Sequence, residues 1–149
     1  SPDQWRSAYV RDGAEELACG LSVKNTIPNV SGALFRREAL AQVLRKHMKD
    51  IRAFRVAGDW CAYAHLALMG KVAFDPRALN YHRRHTSSVT ISRFTQAEWD
   101  EIARMQARVR KLTEVPLEMQ EIAANYLGLL ARRLEADAEP EDAAADGEP

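Results

Sequence analysis

In the first ninety residues apolar positions recur at helical spacing in two places and at strand spacing after them. Ala39, Leu40, Val43 and Leu44 predict a helix after Arg36, and Trp60, Tyr63, Ala64, Ala67 and Leu68 share one side of a helix over Asp59 to Met69. Gly70 is placed to stop that second helix. Lys71 to Phe74 reads as a short strand closed by Asp75-Pro76, and Leu79 to His85 as another, with Leu79, Tyr81, Arg83 and His85 on one face by the period of two. The opening, Trp5 to Leu21, reads as one or two short helices broken at Asp12-Gly13. Between them, Asn25 to Gly32 is rich in turn-forming residues and leads into the apolar run Ala33-Leu34-Phe35.

After Thr90 the pattern becomes wholly helical. Trp99, Ile102, Met105, Gln106 and Val109 recur at spacings of three and four within Gln96 to Leu112. A break at Thr113 to Pro116 precedes a second helix, Leu117 to Leu134, with Met119, Ile122, Ala123, Tyr126, Leu127 and Leu130 as its stripe. Two such helices joined by a short break predict a helical hairpin folded onto the body. The alternation of helix and strand before it belongs to an α/β protein, with two or three short strands expected. No internal repeat is visible.

Charge changes this picture at one end. The chain has 149 residues and a formal net charge of zero, but its segment from Ala136 to Pro149 holds six acidic residues and no basic ones. The rest carries 21 basic against 15 acidic side chains. A segment of Ala, Pro and acidic residues buries too little surface to offset its chain entropy, so residues 136–149 read as a solvated, disordered tail. The mildly cationic body suits an anionic ligand such as a phosphate, although many proteins of neutral ligands share that balance. No apolar run approaches the roughly 20 residues a membrane helix needs, and the N-terminus has no signal pattern, so a cytoplasmic protein is expected. Cys19 and Cys61 have no metal-ligand spacing and read as two buried thiols.

Three segments occur in a telling order: NTIPNVSGALFRREAL over residues 25–40, GDWCAYAHLALMG over 58–70, and LNYHRRHTSSVT over 79–90. Together they resemble the second half of family 2 glycosyltransferases, most closely bacterial ones that build cell-surface polysaccharides. The resemblance implies the GT-A architecture. In it a Rossmann-like N-terminal half binds a nucleotide sugar and an Asp-x-Asp holds a divalent metal, Mg or Mn, on the diphosphate. The C-terminal half supplies the acceptor pocket and the catalytic base. This sequence contains no Asp-x-Asp and no N-terminal βαβ pattern. Residues 1–94 are therefore expected to be the acceptor-side part of an incomplete GT-A domain, with 95–135 the helical hairpin packed on it. Such a fragment is expected to be inactive alone, to bind no metal by itself, and to self-associate through open strand edges.

The resemblance also assigns roles. Asp59 falls where these enzymes carry the carboxylate that takes the acceptor proton. Its local sequence fits a helix N-cap equally well, a role worth about 1 kcal/mol. Trp60 stands either as an acceptor-site wall or as a core residue. Asn29, Ser31 and Gly32 lie in the loop that lines the sugar pocket in such enzymes, or form a simple turn before a strand. His85 matches a histidine that completes the metal and diphosphate site there, with Arg83 and Arg84 suited to grip phosphate oxygens. His82 and His85 point to opposite strand faces, which disfavours zinc, and His47 and His65 carry no assigned role. The competing reading is a non-enzymatic binding module using the His-Arg-Arg-His cluster on an anion. A nucleic-acid partner is excluded by the absence of a long basic helix, an aromatic RNA-binding pair or a zinc finger.

Overall fold

The computed structural model describes residues 6–27, 29–79 and 94–138. Among them the chain is mixed α/β and mostly helical. In order come strand β1 (Tyr9–Asp12), the single-turn helix α1 (Gly13–Glu16) running into a π-type turn (Leu17–Leu21), and a 3₁₀ turn (Val30–Gly32). Helices α2 (Arg37–Arg52) and α3 (Gly58–Ala67), strand β2 (Lys71–Phe74), and helices α4 (Gln96–Leu112) and α5 (Leu117–Ala138) follow.

The described sheet is two-stranded and antiparallel, with Tyr9 opposite Phe74 and Asp12 opposite Lys71. The Tyr9 and Phe74 rings stack with centroids 5.5 Å apart, a cross-strand aromatic pair of the kind that stabilises a short ladder. The first strand corrects the helical reading of Trp5 to Leu21. Tyr9 and Arg11 are half-buried while Val10 and Asp12 face solvent, a period of two that four residues are too few to display against helical spacing. The expected break at Asp12-Gly13 does occur, and its cause is close packing. The Gly13 N–H donates to the Gly70 carbonyl at 2.7 Å, and a Cβ on Gly13 would lie 1.7 Å from the Ala67 carbonyl oxygen. Only glycine lets the chain turn there against the end of α3.

Helix α3 runs through the centre of the molecule. Trp60, Cys61, Ala62, Tyr63, Ala64, His65 and Ala67 are all buried, so its apolar surface extends well beyond the single side that the spacing indicated. The core around it comprises Leu17, Leu21, Trp60, Cys61, Met105 and Val109. Helix α2 packs along α3, and α4 packs between α3, the π-type turn and α5. Gly70 follows α3 in a turn but does not adopt a left-handed conformation. The run Ala33-Leu34-Phe35 forms no strand, and Leu34 is fully exposed. Cys61 is buried as expected, whereas Cys19 is exposed.

The α4–α5 hairpin forms where the periodicity placed it. A reciprocal cap opens α4: the Glu98 N–H donates to Thr95 Oγ1, and the Thr95 N–H donates to a Glu98 carboxylate oxygen at 2.8 Å. Trp99 Nε1 donates to the Leu127 carbonyl at 3.0 Å. The buried Gln106 amide donates to the carbonyls of Val23 and Ala123, at 2.9 and 3.1 Å, and so joins three parts of the fold. Along α5 the inward positions are Ala123 and its half-buried neighbours, while Ile122 is exposed. The helix also takes in residues 136–138, so the start of the acidic segment is ordered helix. Acidic side chains do not prevent helix formation.

Candidate functional site

The first two of the three segments meet at the N-terminal end of α3. Asn25 Nδ2 donates to Asp59 Oδ1 at 3.4 Å across 34 residues of sequence, and the Trp60 N–H donates to the same oxygen at 2.6 Å. One turn further along α3 the Phe35 ring stacks on Tyr63, with centroids 5.8 Å apart and planes 16° from parallel. Positions 59 and 63 share a helix face by their spacing of four. Asn25 and Phe35 thus flank one face of α3 that carries a carboxylate and a phenol.

The electrostatics of that face are set by burial. Desolvation raises the Asp59 pKa above the ordinary aspartate value, against the lowering effect of the hydrogen bonds from Trp60 and Asn25. Tyr63 is pushed up to about 12, first by burial and then by the nearby Asp59 charge, and its hydroxyl is buried without a hydrogen-bond partner among the described residues. Asp59 does not cap α3. Ala57 occupies the capping position, and Asp59 lies in the first turn. The segment that enters α3 is held from α4: the Glu101 carboxylate accepts the N–H groups of Arg55, Val56 and Ala57 at 2.7, 2.8 and 3.1 Å.

The other sequence-assigned residues divide. Trp60 is in the core, 3% exposed, with its indole N–H donating to the Leu21 carbonyl at 3.0 Å. Asn29 caps the 3₁₀ turn, its side-chain oxygen accepting the Ser31 N–H at 2.9 Å, and Ser31 and Gly32 face solvent. Arg83, Arg84 and His85 lie outside the described residues, as does the strand expected over Leu79 to His85 from residue 80 onward.

Three groups carry chemistry that sequence reasoning left unassigned. Tyr63 was visible in principle as the i+4 neighbour of Asp59. Buried Glu16 accepts Thr26 Oγ1 at 2.9 Å and pairs with Arg11 at 3.3 Å. His47, Asp50 and His65 each offer an atom within 4.8 Å of the others, a meeting of α2 with α3 that no local spacing announces. That trio is the one described cluster suited to an ion. It does not fit the Mg or Mn that the resemblance implies, because it offers two imidazoles and a single carboxylate where those ions take mainly oxygen ligands. The described residues therefore do not furnish the diphosphate metal site.

No protein-family model, curated protein or solved structure matches this chain. No described helix is long and apolar enough to cross a membrane.

Proposed function

We propose that this chain is the acceptor-side half of a GT-A glycosyltransferase of family 2, acting in the cytoplasm on a saccharide acceptor in cell-surface polysaccharide synthesis. The observation that carries the reading is the convergence of Asn25 and Phe35 on the Asp59–Tyr63 face of α3. Two separated segments of the resemblance meet there around a half-buried carboxylate of raised pKa. A base that is easier to protonate than an ordinary aspartate accepts a hydroxyl proton more readily, and carboxylates shifted in this way cluster at functional sites.

In the proposed reaction Asp59 takes the proton of the acceptor hydroxyl as the acceptor oxygen attacks the anomeric carbon of the nucleotide sugar. The bond from that carbon to the diphosphate oxygen breaks, the electron pair leaves with the nucleoside diphosphate, and configuration inverts. The Asn25 amide and the Trp60 N–H both donate to Asp59 Oδ1, and the hydroxyl proton is proposed to go to Oδ2. Asn25 holds the carboxylate in place. Donor binding belongs to a half that this sequence, lacking an Asp-x-Asp, does not include.

The test is release of nucleoside diphosphate and sugar transfer by the product of the whole reading frame, over a small panel of nucleotide sugars, beside its Asp59→Asn variant. Loss of transfer by about a hundredfold or more in the variant supports the base role. Absence of any release by the wild type returns the chain to a binding module and Asp59 to a helix-start residue.

A further inference from the structure

Away from the Asp59 face, α2 and α3 bring together three side chains that the proposed reaction does not use. His47 and Asp50 are one turn apart on α2, with His47 Nδ1 3.9 Å from Asp50 Oδ2. His65 comes from the last turn of α3, and its ring stacks on His47 with centroids 3.7 Å apart and planes 9° from parallel. One ligand atom from each of the three lies within 4.8 Å of the other two. His65 is 7% exposed, and its Nε2 is buried without a hydrogen-bond partner among the described residues. Buried polar atoms are rarely left so, because the loss of water is then uncompensated. Beside the pair lies a cavity of about 160 Å³ lined by Gln42, Lys46, Leu68 and Met69 among others, room enough for an ion and its waters.

We propose that His47, Asp50 and His65 form a binding site for a borderline transition-metal ion of the zinc class. Two imidazoles with one carboxylate suit Zn²⁺, Ni²⁺ or Cu²⁺ and leave a coordination position for water or a further ligand. Mg²⁺ and Ca²⁺ demand more oxygen donors than the trio offers. Asp50 Oδ2 faces His47 Nδ1 and also pairs with Arg108, so a bound ion shares this carboxylate with the guanidinium. Tetrahedral bonds of about 2.0–2.1 Å put ligand atoms roughly 3.3 Å apart. Binding therefore draws the three groups inward and opens the imidazole stack. The site ties α2 to the C-terminal end of α3. Asp59 lies six residues before His65, roughly 9 Å back along the axis at 1.5 Å per residue, so the two sites are separate.

The experiment titrates Zn²⁺ into the metal-stripped full chain against a colorimetric chelator, with thermal melting recorded with and without the ion. One equivalent is expected on the wild type, with a rise in Tm on binding. The same equivalent is expected on the His82→Gln/His85→Gln double variant, which removes the other two histidines. His47→Gln, at a half-buried position, is expected to bind at least about a hundredfold more weakly and to lose the Tm rise, since losing even an outer-shell partner costs 10- to 100-fold. His65→Gln is expected to behave likewise where it folds. The proposal is overturned if the wild type holds no saturable equivalent, if His47→Gln binds as the wild type does, or if the double variant loses the ion instead. Mg²⁺ binding as tight as Zn²⁺ overturns the assigned ion class.

Discussion

The carboxylate of Glu101, on α4, accepts a hydrogen bond from the main-chain N–H of Ala57, the capping residue of α3, at 3.1 Å. The same carboxylate takes the N–H groups of Arg55 and Val56. Backbone amides that leave water need an acceptor, and neither the turn before α3 nor its capping residue has a side-chain cap of its own. Here a residue more than forty positions away supplies all three acceptor contacts. The start of α3, where Asp59 sits, is therefore positioned by the helical hairpin.

Replacing Glu101 by Ala is expected to cost on the order of 2 kcal/mol in urea denaturation at neutral pH, since one buried and two part-buried amides lose a charged acceptor. Glu101→Gln, which keeps one acceptor oxygen, costs less. Burial raises the Glu101 pKa, but the three amides and Arg104 outweigh it and hold the carboxyl below its ordinary value. A depressed carboxylate stabilises the fold above its unfolded pKa, about 4.3 for glutamate, and that stability is lost as pH falls through the folded value. The wild type and Glu101→Gln are thus expected to converge in stability in acid.

Gly13→Ala is expected to be among the most damaging single changes in the molecule, costing about 3 kcal/mol or more. The added methyl would sit 1.7 Å from the Ala67 carbonyl oxygen and 2.5 Å from that of Gly70, and both are backbone atoms that cannot rotate away. Thermal melting of Gly13→Ala beside Gly128→Ala, where a Cβ meets nothing within 4 Å, separates the clash from any general effect of losing a glycine. The second variant is expected to be neutral or slightly stabilised.

Much of this fold was legible from periodicity alone. Helices α4 and α5 start where the spacing of Trp99 to Val109 and of Met119 to Leu130 placed them, because long amphipathic segments repeat their signal over several turns. The four-residue strand β1 was not legible. Its partner lies about sixty residues away, and Tyr9 and Arg11 alternate too briefly to be told from a helix. At the candidate site, Asp59 and the segment of Asn25 could be named from sequence, but their contact is a tertiary fact. Glu101 and the His47–Asp50–His65 cluster were invisible for the same reason. Each looks like an ordinary residue of its own helix until another element is packed against it.

Gln106 is 1% exposed, and its amide bridges the Val23 and Ala123 carbonyls. Gln106→Leu keeps similar bulk but leaves the Val23 carbonyl buried without its donor. A loss of about 2 kcal/mol is expected from that desolvation penalty. Amide hydrogen exchange should show it as loosening of the α4–α5 contact and of the loop after Leu21. A neutral result would mean that water replaces the amide.

His65 predicts a second acid-sensitive transition, measured on metal-free protein. Burial first, then the charges of His47, Arg108 and Lys46, lower its pKa from 6.5 to about 4, with Asp50 opposing them. The unfolded chain thus binds this proton at higher pH than the folded chain does. The stability contributed by neutral His65 is complete above pH about 6.5 and is lost as pH falls toward 4, by about 3 kcal/mol in all. His65→Gln, if it folds, is expected to flatten the stability profile in that window while leaving the Glu101-dependent loss at lower pH.

Asp59→Asn separates a functional carboxylate from a structural one. The folded pKa of Asp59 lies above its unfolded value, so its protonated form is the one the fold favours. That contribution is present below the unfolded pKa and disappears as pH rises through the folded pKa. At neutral pH the wild type therefore bears the cost of an ionised, partly desolvated carboxylate. Asparagine removes that cost while keeping an oxygen for the Trp60 N–H and the Asn25 amide. The expected outcome is a Tm at pH 7 equal to or above that of the wild type, together with a fall in transfer rate of about a hundred- to ten-thousandfold. The acid limb of wild-type transfer should lie above the ordinary aspartate value of about 3.9. A residue kept for folding shows the reverse: a lowered Tm and a transfer rate that falls only as far as the folded fraction does. Such a result would assign Asp59 to the entry of α3 and withdraw it from the chemistry.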